Sequence, residues 1–323
     1  MKKGLLMLGV AALALASCTN EEVLNVSDSR AIGFNTFVNN NTKAVTDITT
    51  DQLTKFYVFG DYDGGASVAF SNTEVSGTKG GIYTPANPAY WQADKTYTFG
   101  AYSNGNGDKL TASYTNGTLT ISEYAVEDSK DLIAAIVKDV AAPAANTEQQ
   151  VALTFKHLLS KVKFTFSTTA VPEAYKMEVS NLKFTGFKTN ATCTVNDNVT
   201  WTGTNGEYSI ATLGDYAVPG DDDVPGGSAS TEDILVIPQT NSAIEASFTV
   251  TIYDEKTESQ IATRNFKASL DCGEWTEGYV YNYTATINPD DVNDQLKPIT
   301  FTVTKVEEWQ PDQEEEIEPT TQP

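Results

Sequence analysis

The chain has 323 residues, with 43 acidic against 21 basic side chains and a formal net charge of −22 at pH 7. This acidic excess repels polyanions, so we expect no nucleic acid among the partners. Arginine, the side chain best suited to phosphate, occurs only at Arg30 and Arg264. A single histidine, His157, leaves no imidazole cluster for a metal. We therefore expect no metal, no cofactor and no catalytic site.

The first seventeen residues have the pattern of an export signal. Two lysines precede an apolar run from Gly4 to Ser17, which is shorter than the roughly 20 residues that a membrane-spanning helix needs. Residues 15–18, Leu-Ala-Ser-Cys, resemble a bacterial lipobox. In a lipobox the peptide is cut before the cysteine and the thiol receives lipid. The resemblance implies a lipoprotein signal peptide at residues 1–17 and lipid on Cys18.

An acidic stretch follows Cys18 directly. Glu21 and Glu22 resemble the surface-export signal of lipoproteins from gut and oral Gram-negative anaerobes, and a plain solvated linker is the alternative. We assign residues 18–30 to this acidic linker. The resemblance implies a surface-exposed protein that the lipid holds on the cell outer membrane.

Most of the remaining chain shows the two-residue period of half-buried strands. The clearest segments are Phe56–Tyr62, Thr96–Tyr102, Ser247–Tyr253 and Tyr279–Ile287. Asn116-Gly117 separates two more alternating runs and predicts a tight hairpin turn. Asp131–Val137 fits a strand better than a helix, because it is short and rich in β-branched residues. The pattern predicts an all-β protein built from antiparallel sandwiches.

The length predicts two domains. A small, polar and proline-bearing segment, Asp139–Gln150, is the best boundary, so we place the sandwiches at residues 31–150 and 151–309. Residues 310–323 form an acidic, flexible tail. The loop Val218–Asp233 contains three consecutive aspartates, but it lacks the alternating spacing of a calcium loop and is expected to be an exposed insertion.

Two residue types invite a functional interpretation. His157 lies within the alternating segment Val151–Phe166, where a packed histidine that hydrogen-bonds locally is expected rather than a general base. Cys193 and Cys272 allow one disulfide, and two separate buried thiols are the alternative.

Four segments resemble the fimbrillin family, the lipoprotein-derived subunits of type V pili. In order behind the lipobox they are Phe155–Phe166, Leu235–Gln239, Trp275–Ile287 and Ile299–Trp309. The resemblance implies two tandem transthyretin-like β-sandwiches and a location in a cell-surface fimbrium. It also implies that the partners are other pilin subunits.

The family further implies donor-strand exchange. A first strand completes the N-terminal sandwich, an extracellular maturation protease removes it, and a strand of a neighbouring subunit fills the groove. Here the first strand corresponds to Ala31–Val38, and the cut falls between Lys43 and Ala44. The expected groove-filling side chains are Ile32, Phe34, Phe37 and Val38.

Two departures from the family leave alternatives open. Well-known members have arginine where this chain has Lys43, so Lys43 as an ordinary loop lysine remains an alternative. The tail after Trp309 is too acidic and proline-rich for a donor strand. This favours a tip, accessory or anchor subunit, unless Ile299–Trp309 is itself the donor. A tip subunit would present loops to a host or bacterial receptor.

The competing class is a surface glycan-binding lipoprotein. Such proteins bind sugars on exposed aromatic side chains, and Tyr90-Trp91 is the most platform-like pair in the sequence. Packing of Trp91 in the core is the alternative, and Trp275 and Trp309 are expected to be core residues.

Overall fold

The structure is a computed structural model. It describes residues 30–38, 48–127, 130–145, 147–168, 175–209, 212–216, 228–241, 243–254, 256–287, 292 and 302–306. The signal peptide, Cys18, Lys43, Ala44, the aspartate run and Trp309 lie outside these ranges. In the part of the chain that is described, no helix is long and apolar enough to cross a membrane.

The described part of the chain contains twenty-one strands, which confirms the all-β prediction. They are, in chain order, β1 (Gly33–Val38), β2 (Lys55–Tyr62), β3 (Ser67–Ser76), β4 (Thr84–Pro85), β5 (Thr96–Asn104), β6 (Ala112–Thr115), β7 (Thr118–Ala125), β8 (Leu132–Ala141), β9 (Gln150–His157), β10 (Ser160–Thr168), β11 (Tyr175–Val195), β12 (Val199–Ser209), β13 (Thr212–Tyr216), β14 (Ser228–Ser230), β15 (Ile234–Val236), β16 (Gln239–Thr240), β17 (Glu245–Asp254), β18 (Gln260–Ser269), β19 (Glu274–Trp275), β20 (Val280–Ile287) and β21 (Thr302–Val306).

Each segment with a clear two-residue period forms a strand. The four aromatic-rich segments are β2, β5, β17 and β20, and Asp131–Val137 lies almost entirely in β8. The β6–β7 hairpin turns at Asn116 and Gly117, whose φ angles are 48° and 73°. Both angles lie in the left-handed region that asparagine and glycine tolerate best, so this turn was predictable from the dipeptide.

The first sheet closes on itself. Its strand order is β1-β9-β8-β5-β2-β3-β4, and β1 lies parallel to β9 at one end. At the other end Phe34 forms an antiparallel bridge with Tyr83, which directly precedes β4. Strand β1 therefore joins both ends of the sheet, and the core of this half lies inside the closed sheet.

The second half of the chain forms a β-sandwich. One sheet has the order β14-β10-β20-β21, with β15 also paired to β10, and the facing sheet has the order β18-β17-β11-β7-β6. Strands β12 and β13 also pair with β11, and β16 pairs with β19. Alternate side chains of the two sheets meet in one apolar core.

The two halves share strands and a third apolar cluster. Strand β9 begins at Gln150, yet it pairs with β1 and β8 of the first sheet. Strand β7 pairs with β11, so the β6–β7 hairpin belongs to a sheet of the second half. Tyr102, Ile121 and Cys193 lie in the cluster between the halves. The organisation thus differs from a division at residue 150, because strand pairing between distant segments leaves no mark on the composition of the linker.

Candidate functional site at the first strand

Three side chains in or directly before β1 face the core of the first sheet. Ile32, Phe34 and Val38 are all buried in the core of the first sheet. The Phe34 ring lies 5.9 Å from that of Phe56 and 5.8 Å from that of Phe99, both edge-to-face. Full burial of such a side chain stabilises a fold by roughly 1.5–3 kcal/mol. These three side chains therefore anchor the strand with several kcal/mol.

Phe37 does not belong to this set. Its side chain is 55% exposed, whereas Val38 beside it is 2% exposed. Side chains of a strand alternate between faces, so the positions that share the inward face with Ile32 and Phe34 are 36 and 38. Phe37 points outward and, with the equally exposed Ile82, borders a cleft of about 420 Å³.

The backbone of β1 is hydrogen-bonded on both edges. On one edge its six residues run in register with β9, from Gly33 opposite Gln150 to Val38 opposite Phe155. On the other edge Phe34 and Tyr83 exchange two N–H···O bonds of 3.1 and 2.9 Å, and Ile32 N–H donates to Ala89 O at 2.8 Å. The strand thus occupies a slot between β9 and the segment that contains Tyr83 and Ala89.

A reciprocal contact holds the N-terminal end of this slot. The guanidinium of Arg30 donates to the carbonyl oxygen of Trp91 through Nε at 3.1 Å and Nη2 at 2.8 Å. In return, Trp91 N–H donates to Arg30 O at 2.9 Å. Arg30 and Trp91 are 61 residues apart, so the sequence gave no signal of this contact.

A second reciprocal contact holds the C-terminal end. Val38 N–H donates to Thr50 Oγ1 at 2.9 Å, and the Thr50 hydroxyl lies 3.4 Å from Val38 O. The two residues flank the expected cleavage loop, Asn39–Thr46. One short polar side chain therefore ties the end of β1 to the chain that follows that loop.

The first described residue after the loop is also held in place. Ile48 is buried, and its N–H donates to Asp131 Oδ2 at 3.3 Å. The same oxygen lies 2.7 Å from His157 Nδ1. His157 is buried at the end of β9, in agreement with the structural role that alternation indicates. The role of Asp131 was not foreseen, because only the fold brings Ile48, Asp131 and His157 together.

The cysteines are both free, so the disulfide considered from the sequence is not formed. Cys193 is buried in the cluster between the halves. Burial raises the pKa of its thiol well above the ordinary value. Cys272 is half-buried, packs against the sandwich core, and lies 3.4 Å from the Tyr283 hydroxyl. The two thiols occupy different cores and cannot meet without rearrangement of the backbone.

The aromatic pair Tyr90-Trp91 does not form a sugar platform. Trp91 is buried, and its ring packs edge-to-face on Tyr97 with the centroids 4.8 Å apart. Tyr90 alone is exposed. Trp275 is fully buried, as expected, and Trp201 is half-buried against Tyr124. Among the described residues, moreover, no group of three or more acidic, histidine or cysteine side chains could hold a metal ion.

A comparison with protein families matches residues 38–309 to the fimbrillin-like family. The chain belongs to this family. A comparison with curated proteins found no match.

Several solved structures are similar to this chain. One from Bacteroides eggerthii, provisionally described as a cell adhesion protein, is 11% identical with a TM-score of 0.53, covering 86% of this chain and 96% of the other. A similarly described protein from Bacteroides uniformis is 17% identical with a TM-score of 0.50, covering 86% and 98%. The fimbrial anchor protein Mfa2 from Porphyromonas gingivalis is 13% identical with a TM-score of 0.36, covering 85% and 97%. At these identities the first two matches establish a shared fold.

The last described strand of this fimbrillin-like chain is already paired. Strand β21 runs antiparallel to β20, from Val306 opposite Val280 to Thr302 opposite Thr284. It lies at the edge of its sheet. Donation of Ile299–Trp309 to a neighbour would therefore first have to break this pairing.

Proposed function

We propose that this chain is a subunit of a cell-surface pilus and that β1 is a removable plug. The observation that carries the proposal is the position of β1 between β9 and the segment around Tyr83, with Ile32, Phe34 and Val38 in the core. Loss of β1 would open an apolar trough lined by aromatic rings and edged by unpaired N–H and C=O groups. Such a trough is completed by an extended strand of another chain.

The route to the surface follows from the N-terminal sequence. Lipid on Cys18 would hold the precursor on the outer membrane, and the acidic linker would direct it to the cell surface. A protease that cuts between Lys43 and Ala44 would separate the lipid anchor and β1 from the rest of the chain. Ile48 would remain bonded to Asp131, which lies outside β1.

The mature N-terminus is the decisive measurement. Protein recovered from surface fibres should begin at Ala44 when it is examined by mass spectrometry. Lys43→Gln should block the cut and leave full-length lipoprotein on the cell, whereas Lys79→Gln, at another exposed lysine, should not. Lipidated Cys18 in every copy of the wild-type protein would contradict removal of the strand.

An end position in the fibre is the second part of the proposal. The acidic, proline-rich tail after Trp309 supplies no alternating strand, and β21 is used within its own sheet. A subunit that accepts a strand but donates none terminates a polymer. A tip subunit would carry an adhesive function towards a host or bacterial receptor. Antibody labelling should then mark fibre ends, and uniform labelling along the fibres would contradict this assignment.

A further inference from the structure

Strand β1 contains one poor fit, at Thr36. This residue is on the inward face, between the buried residues Phe34 and Val38. Its hydroxyl oxygen is buried and has no hydrogen-bond partner among the described residues. Tyr83 also lines the adjoining cleft, and its hydroxyl donates to Leu53 O at 2.6 Å rather than to Thr36.

A buried hydroxyl without a partner destabilises the state that buries it. Valine has the same shape as threonine with a methyl group in place of the hydroxyl, and both are good strand formers. Backbone preference therefore gives no reason for threonine at this position. The pattern Ile32-x-Phe34-x-Thr36-x-Val38 is apolar at every inward position except this one.

The unpaired hydroxyl of Thr36 lies between the contacts that hold this edge of β1. The bonds to Ala89 and Tyr83 secure the edge of the strand at Ile32 and Phe34, and Thr50 secures it at Val38. Thr36 falls between these contacts and lines the cleft of about 420 Å³. The groove would accept a different strand with better complementarity at this one position.

We propose that Thr36 makes β1 the weaker occupant of its own groove, and that the strand which replaces it carries a branched aliphatic side chain at the same position. This inference rests on the proposed function, since it concerns which strand the opened groove prefers. The partner is thus an extended segment of another subunit, with large apolar side chains at alternate positions. At the third of these positions, which Thr36 occupies in β1, it carries valine or isoleucine.

The test compares strands in the same groove. A specific protease site placed within residues 39–47 lets the folded chain be cut, and release of the labelled β1 fragment is followed in the presence of a synthetic peptide. Thr36→Val should slow release about tenfold, equivalent to about 1.4 kcal/mol at 25 °C. A peptide of residues 31–38 with valine at position 36 should displace wild-type β1 about tenfold more effectively than the native peptide. Thr115→Val, the same change at an exposed position on β6, which does not contact β1, should leave release unchanged.

The outcomes separate the two proposals. Equal or faster release from the Thr36→Val protein, with equal displacement by both peptides, would overturn the role of Thr36 while strand exchange itself stands. The peptide comparison uses wild-type protein, so it decides the question even where the variant folds poorly. Retention of β1 by all the cut proteins, with no peptide uptake, would contradict strand exchange and this inference with it.

Discussion

His157 Nδ1 lies 2.7 Å from Asp131 Oδ2, and both side chains are buried. Through the same oxygen Asp131 also receives the N–H of Ile48, the first described residue beyond the expected cleavage loop. The pair thus links β9, the start of β8 and the chain that would become the new N-terminal region.

His157→Ala should lower the free energy of unfolding by about 3 kcal/mol, because removal of one partner leaves a buried polar group uncompensated. Urea denaturation measures the change. Lys156→Ala, at the exposed neighbouring position of β9, is the control and should change stability by less than about 0.5 kcal/mol. Equal effects of the two substitutions would show that the pair contributes nothing specific.

Arg30→Ala should loosen the N-terminal end of β1. The side chain is half-buried and donates twice to Trp91 O, so we expect a loss of about 1 kcal/mol in the free energy of unfolding. Hydrogen exchange at the amides of Ile32 and Phe34 should become faster. The comparison is Lys79→Ala, which removes an exposed ion pair with Asp51 and should leave this exchange unchanged. Unchanged exchange in the Arg30 variant would contradict its role in holding the strand.

Thr50→Val should loosen the C-terminal end of β1. The substitution keeps the shape of the side chain but removes the oxygen that accepts from Val38 N–H. Loss of this hydrogen bond should lower the free energy of unfolding by about 1 kcal/mol. The exchange of the Val38 amide should accelerate about fivefold. Thr50→Ser retains the hydroxyl and should preserve protection, so a loss of protection in the serine variant would point to packing instead.

Trp91→Ala should destabilise the protein by about 3–5 kcal/mol, as expected for loss of a large buried aromatic side chain. Tyr90→Ala, which trims an exposed side chain, should change stability by less than about 0.5 kcal/mol. Calorimetry of both variants checks this, and a polysaccharide binding screen accompanies it. Glycan binding that is lost in the folded Tyr90 variant would revive the carbohydrate-binding alternative.

Alkaline pH should destabilise the fold through Tyr102. Burial raises the pKa of this side chain from 10.0 to about 12. Between these values the unfolded chain has lost the phenolic proton while the folded chain retains it, so stability falls as pH rises from about 10 to 12. Below pH 10 the contribution is fully present. Tyr102→Phe should flatten the slope of unfolding free energy in that window.

The sequence predicted local features well. The strands β2, β5, β17 and β20 follow from alternation, and the hairpin turn follows from Asn116-Gly117. Phe37 was wrongly grouped with the inward residues of β1, although a strict two-residue count from Ile32 and Phe34 assigns it to the outer face. The partners of β1 could not be predicted in this way, because β9 and Tyr83 are distant in sequence. For the same reason the contacts of Arg30, Thr50 and Asp131 emerge only from the fold.

Strand β11 has a consequence for a subunit under tension. Its 21 residues, interrupted by β-bulges, pair with β17 along the first part of the strand and with β7 near its end. Separation of the two halves would therefore have to break the hydrogen bonds between β11 and β7. In a pilus subunit, as proposed above, this single strand would transmit tension from one half of the chain to the other.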